Sequence, residues 1–219
     1  MKRTIKLSSL FAFIFFFGNV AIASAQTLKD FFNSSETTTV YLGIDFTKAR
    51  LINSPTANPM DIKNRIYRSI NDVVVNEPKN FDFSEAFHKS GVSSNLSAVH
   101  ARNEKINAEE IVSSNVDDFS RLKESDITAA VKALNIESKK GVGILFVFEA
   151  MKNIEKSDDI ASVWTVLIDL QTKKVILSER SEVKAKGFGF RNTWASVIKF
   201  TLKEIEKKKY KEWKEKYGS

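Results

Sequence analysis

The chain has 219 residues, 42% of them hydrophobic and 28% charged, with a formal net charge of +7 and no cysteine. The missing cysteine excludes disulfides, thiolate metal sites, cysteine nucleophiles and a lipid-modified N-terminal cysteine. With Lys2, Arg3 and Lys6 set aside the charge falls to +4, too mild to demand nucleic acid as a partner.

Those three cations open the chain. The apolar run "LFAFIFFF" (10–17) follows, and then Ala23-Ser24-Ala25, a small-x-small pattern. Together they make the three parts of a secretory signal peptide (1–25). The run is too short to cross a bilayer as a stable helix. The expectation is an exported protein, periplasmic or secreted and not a lipoprotein, cleaved after Ala25. The remaining 194 residues, 26–219, are expected to form a single soluble domain. A chain of that size buries about 70% of its unfolded surface, enough for one core.

Residues 26–37 read as a loose lead-in or a short helix. In "TTVYLGIDF", Val40, Leu42, Ile44 and Phe46 alternate, which predicts a strand with those four on one face. "NSPTANP" is a loop. Asn58 can cap the next helix, with Pro59 at its first position and Asp61 in its first turn. Ile62, Ile66, Ile70 and Val73 form its apolar stripe, and Pro78 stops it.

The stretch 79–123 reads as a poorly patterned insert. "FDFSEAFHKSG" suggests one short helix ended by Gly91, "SNLSAVHARNEKI" a strand, and "AEEIVSSNVDDFSRL" partial helix. Ser125 is then expected to cap a helix with Ile127, Val131 and Leu134 inward.

The last third has the clearest pattern. "GVGILFVFEAM" (141–151) is a continuous apolar run, as in a central strand buried on both faces. "ASVWTVLIDL" puts Trp164, Val166, Ile168 and Leu170 on one face. After the turn "QTKK", the stretch "VILSERSEV" puts Val175, Leu177 and Val183 on one side, giving an antiparallel hairpin. A long helix follows from about Asn192, with Trp194, Ile198, Leu202 and Ile205 inward.

The stretch "KAKGFGFRNTW" resembles the first half of the RNA-recognition octamer. The resemblance stops there: Arg191 and Thr193 replace the expected valine and aromatic. The companion hexamer-like "VYLGID" lies 146 residues upstream of Lys186, and the following helix has no strand after it. No nucleic-acid partner is therefore expected. Phe188 and Phe190 are read as cover for the core, with Gly187 and Gly189 allowing a tight backbone.

The order of elements resembles a group of envelope proteins: the N-terminal domain of TolB, the LpoB-type activators and the CsgG-type lipoproteins. "ITAAVKALNIESKKGVGILFVFEAM", "VWTVLIDLQTKKVILSE" and "WASVIKFTLKEI" carry it. The resemblance implies an α/β (α+β) fold, namely a single mixed, largely antiparallel sheet. It also implies helices mainly on one side and a long C-terminal helix. Members act by binding other envelope proteins rather than by catalysis.

No catalytic, cofactor or metal motif stands out. His88 and His100 have no ligand spacing, and there is no nucleophile elbow, P-loop or HExxH. Three polar residues could form a small pocket at a sheet end: Glu149, Asp45 and Arg191. The alternative puts Glu149 at a solvent end and Asp45 on the exposed face. In the tail, 206–219, Tyr210, Trp213 and Tyr217 make one helical stripe among lysines that include Lys208 and Lys211. Either the stripe packs on the protein itself, or it projects to dock on a partner or an anionic membrane surface. The functional expectation is a non-enzymatic envelope binding or scaffold protein with an unidentified protein partner. The alternative is a soluble carrier of a small ligand or envelope glycan, and an enzyme with an unrecognised site ranks below both.

Overall fold

The computed structural model describes residues 27–54, 57–154 and 157–219, so the expected signal peptide and cleavage site lie outside the described residues. A helix over 27–33, α1, opens the described chain. Strands β1 (Thr39–Asp45) and β2 (Arg50–Ile52) follow. Next come α2 (Pro59–Asp61), a π-helical turn (Ile62–Ile66) and α3 (Tyr67–Asn76), one continuous helix. Asn58 caps it as expected, its Oδ1 accepting from Asp61 N at 3.1 Å. The wider turn rotates the stripe, so Val74 rather than Val73 is buried beside Ile70.

The insert contains α4 (Phe83–Ala86), β3 (Ser93–Ser94), α5 (Ser97–Asn103), β4 (Val112–Ser113) and two 3-10 turns. Its "SAVHARN" is a helix, not the expected strand: Asn95 Oδ1 accepts from Ser97 N and Ser97 Oγ, and so starts the turn. Gly91 does not end α4, since His88 makes that turn with φ at 50°. After the insert, α6 (Glu124–Lys132) is capped by Asp126 reaching back to Lys123 N at 2.8 Å, rather than by Ser125.

The long strands are β5 (Val142–Lys152), β6 (Asp159–Asp169) and β7 (Lys174–Ala185). Last comes α7 (Phe190–Glu204), running through a second π turn (Ile205–Lys209) into α8 (Tyr210–Tyr217).

The seven strands form one mixed sheet, and the expectation of a largely antiparallel one is corrected. β6 is antiparallel to β5 along its length, and β7 to β6, as the hairpin reading expects. On the other edge of β5 the pairing is parallel: β1 against Thr39↔Val142 to Asp45↔Val147, then β2 against Arg50↔Ala150 to Ile52↔Lys152. A strand has only two edges, so β1 and β2 lie in line on the same one, interrupted at 46–49. Parallel pairing requires a long crossover, and the helices between β2 and β5 supply it.

The outermost position is filled in two pieces, β3 beside Val40 and Tyr41, and β4 beside Leu51 and Ile52. Between them two buried asparagines satisfy the open edge of β1. Asn71 Oδ1 accepts from Ile44 N at 2.7 Å and Asn103 Oδ1 from Phe46 N at 2.9 Å, while both side-chain amides donate to Ile44 O.

Helices cover both faces. The larger core joins α1, α3, α4, α7 and α8 to Ile144, Phe146 and Phe148, and the smaller joins α5 and α6 to Leu145 and Val147. The single-face reading of β1 fails at Gly43, where φ is 109° and the register with β5 shifts. Val40 and Leu42 therefore enter the smaller core, and Ile44 and Phe46 the larger. A similar shift in β7 separates Val175 from Leu177 and Val183.

Candidate functional site

The two carboxylates singled out in the sequence are both fully buried, on the face that α5 and α6 cover. Asp45 thus does not face solvent as the alternative had it. Each is matched by an arginine that local pattern does not reveal. Glu149 sits where β5 shifts register against β6, and its oxygens are saturated. Oε2 accepts from Ser162 Oγ at 2.7 Å, Arg180 Nε at 2.9 Å and Trp164 Nε1 at 3.2 Å, and Oε1 accepts from Leu122 N. Arg180 also donates to Phe119 O at 2.9 Å, and Arg121 to Glu149 O at 3.3 Å and to Lys48 O. These bonds strap the turn around Phe119 to the sheet.

Asp45 folds the chain where β1 ends. Its Oδ1 accepts from Thr47 N at 2.8 Å and Thr47 Oγ1 at 2.6 Å. Arg102 Nε lies 2.8 Å from Asp45 Oδ2, a charge contact, while its hydrogen points to Thr47 Oγ1 at 3.2 Å. Buried carboxylates with such partners hold structure: both Glu149 oxygens are hydrogen-bonded, and Asp45 Oδ2, without a hydrogen bond, lies buried against the Arg102 guanidinium.

Arg191 stands apart, exposed at the start of α7 and bonded only to its neighbour Asn192. The structure therefore does not gather Glu149, Asp45 and Arg191 into one pocket. A cleft does lie next to Asp45, however, and the insert builds most of it. Its volume is 480 Å³, and Thr47, Arg50, Arg102, Lys105, Asn107 and Glu110 supply its polar wall. Arg50 pairs with Glu110 at 2.7 Å.

The tail is packed. Trp213, 4% exposed, donates to Glu179 Oε2 at 2.6 Å, and Lys209 binds the other oxygen at 2.5 Å. Tyr210 is buried against Phe32 and donates to its carbonyl at 3.3 Å; Tyr217 stacks on the same ring. Lys208 and Lys211 stay exposed and pair along the helix with Glu212 and Glu215. Of the two readings of the stripe, the packed one describes this structure, because β7 and α1 together cover it.

Buried lysine is the other feature the pattern hid. Lys89 Nζ donates to Phe31 O and Ser34 O, capping α1, and lies 4.0 Å from the Phe31 ring centroid. Burial, with Lys214 nearby, pulls its pKa from 10.5 down to about 8.

The remaining correction concerns the glycine-flanked loop. Phe188 does not cover the core: it is 95% exposed, the most solvated large apolar residue described. Gly189, at φ 77°, turns the backbone so that Phe190 points back onto Trp194 while Phe188 points out. The loop borders an open groove of 460 Å³ whose wall includes Ala57, Ile62, Ile66 and Phe190, with Asp61 and Arg65 at its rim.

Among the described residues no helix is long and apolar enough to cross a membrane, and no cluster of three acidic or histidine side chains could hold a metal. No protein-family model matches the chain, and no curated protein does. Solved structures similar to it include the PelC dodecamer from Paraburkholderia phytofirmans, at 10% identity over 79% of this chain and 89% of that one, TM-score 0.34. The hypothetical protein CT253 from Chlamydia trachomatis is 9% identical over 80% of this chain and 96% of that one, TM-score 0.36. Lipoprotein GNA1162 from Neisseria meningitidis is 10% identical over 77% and 97%, TM-score 0.30. Likeness at this level is one of outline and carries no statement about what this chain binds.

Proposed function

We propose that this is an exported, non-catalytic binding protein that engages another envelope protein through the Phe188 loop. The observation that carries the reading is Phe188 itself, fully solvated although the core beside it is closed without it. An apolar knob next to an apolar groove with a charged rim matches the core-and-rim make-up of protein interfaces. A flat lipid surface would cover the knob and leave the groove empty. The order of elements, a strand and helix, then helix, buried strand, hairpin and long helix, supports the resemblance to the TolB, LpoB and CsgG group.

The test is a photo-reactive phenylalanine analogue at position 188, with exposed Val116 as the control position, irradiated in cells that export the protein. A discrete protein adduct at 188 and none at 116 supports the reading. No adduct at 188 overturns it. So does binding to anionic vesicles that Phe188→Ser abolishes, which assigns the loop to membrane. Phe188→Ser itself should leave stability within about 0.5 kcal/mol of wild type, as for ordinary surface positions.

A further inference from the structure

We infer that the cleft between the insert and the end of β1 binds a small anionic ligand, a carboxylate or phosphate carried on a hydroxyl-bearing body of sugar size. This is independent of the Phe188 loop, which lines a different groove.

Four observations converge on it. The first is charge. The cleft wall holds Arg50, Arg102 and Lys105; Glu110 answers Arg50 and the buried Asp45 answers Arg102, so Lys105 carries the uncompensated positive charge. The second is availability. Lys105 Nζ has no partner among the described residues, and Arg102 spends Nε and Nη2 on Thr47 and Asp45, leaving Nη1 unbonded. A guanidinium held this way by a buried carboxylate is pre-oriented, so binding orders no loose side chain.

The third is shape. Ala98, Ala101 and Ala133 line the cleft where larger side chains would fill it, and its 480 Å³ falls within the roughly 300–1,000 Å³ of small-molecule sites. The fourth is mixed polarity. Asn135 puts an amide beside the cations, and an amide both donates to and accepts from hydroxyls, while Asn107 spends its own amide on Glu109 N and Glu110. Inorganic phosphate alone would use the cations and ignore the Asn135 amide.

The competing role for Arg102 and Lys105 is structural, because both stand near the C-terminal end of α5, where cations offset the helix dipole. That role predicts a change in stability and none in ligand affinity. The experiment is calorimetric titration of the exported chain with glucuronate, glucose 6-phosphate, inorganic phosphate and glucose. Saturable binding of either sugar anion, about tenfold or more tighter than glucose and than inorganic phosphate, is expected. Glucuronate against glucose 6-phosphate then tells carboxylate from phosphate.

Two variants localise the binding, and both change exposed residues, so the fold should survive. Lys105→Glu should weaken the sugar anion about tenfold or more. Ala133→Trp should abolish binding by filling the cleft with the charge unchanged. No saturable binding of either sugar anion overturns the proposal. Equal affinity for glucose or for inorganic phosphate does the same. Binding that falls in Lys105→Glu yet survives in Ala133→Trp also overturns it, since it would then be surface electrostatics.

Discussion

The block β5–β6–β7 and the insert over 79–123 solve one problem, the pairing of strand edges, in opposite ways. In the block, ladders of ten or more residue pairs run along both sides of β6, each with a single register shift, and the backbone largely satisfies itself. In the insert the strands are two residues long, and side chains do the pairing: Asn103, with Asn71 of the neighbouring α3, bonds the open edge of β1, while Arg121 and Glu149 hold the turn around Phe119. Stability is therefore spread thinly over many residues in the block and concentrated in a few polar ones where the insert meets it.

The largest expected effect lies at that junction. Glu149→Ala leaves Arg180 without its buried partner and frees Leu122 N, Ser162 and Trp164, at a cost of about 3–5 kcal/mol in denaturant unfolding. A loss under about 1 kcal/mol would mean that the backbone ladder alone holds this region.

Next comes Asn103→Ala, which removes the bonds to Phe46 N and Ile44 O without touching any ladder. About 2 kcal/mol should be lost, and hydrogen exchange at Phe46 should accelerate while β6 amides stay protected. Uniform acceleration across the sheet would erase the contrast between the two regions.

A third test is a pH dependence at Lys89, which joins the insert to α1. Its folded pKa, about 8, lies below the ordinary 10.5. Between those values the unfolded chain holds a proton that the native state has lost, so stability rises with pH across that window. Lys89→Met should flatten the rise, read as melting temperature from pH 7.5 to 10. A wild-type curve that stays flat would show that the two carbonyls hold the ammonium charged.

What the sequence made legible follows the same division. The apolar run of β5, the alternation of β6 and the stripe Trp194, Ile198, Leu202 and Ile205 are periodic, and all are buried where the period puts them. The parallel pairing of β1 and β2 was invisible because neighbour choice leaves no periodic trace. The helix over Ser97–Asn103 was hidden by its mixed composition and is started by an asparagine turn. Glu149 stood out as a charge inside an apolar run, but Arg180, 31 residues on, looks like any exposed cation of a hairpin. Phe188 was misread because hydrophobicity says which residues gain from burial and nothing about whether a glycine at positive φ turns them outward.

The packing of the final helix on the first has a kinetic consequence. Tyr210 reaches the Phe32 carbonyl across 178 residues, and Asn33 donates to Gly218 O at 2.6 Å across 185. During synthesis residues 27–33 emerge early, yet their docking surface is made last. Contacts of such sequence separation form late and slowly, since their loop-closure entropy comes before their reward. A chain made from its N-terminus thus keeps its leading segment undocked until nearly all of the remainder has been synthesised.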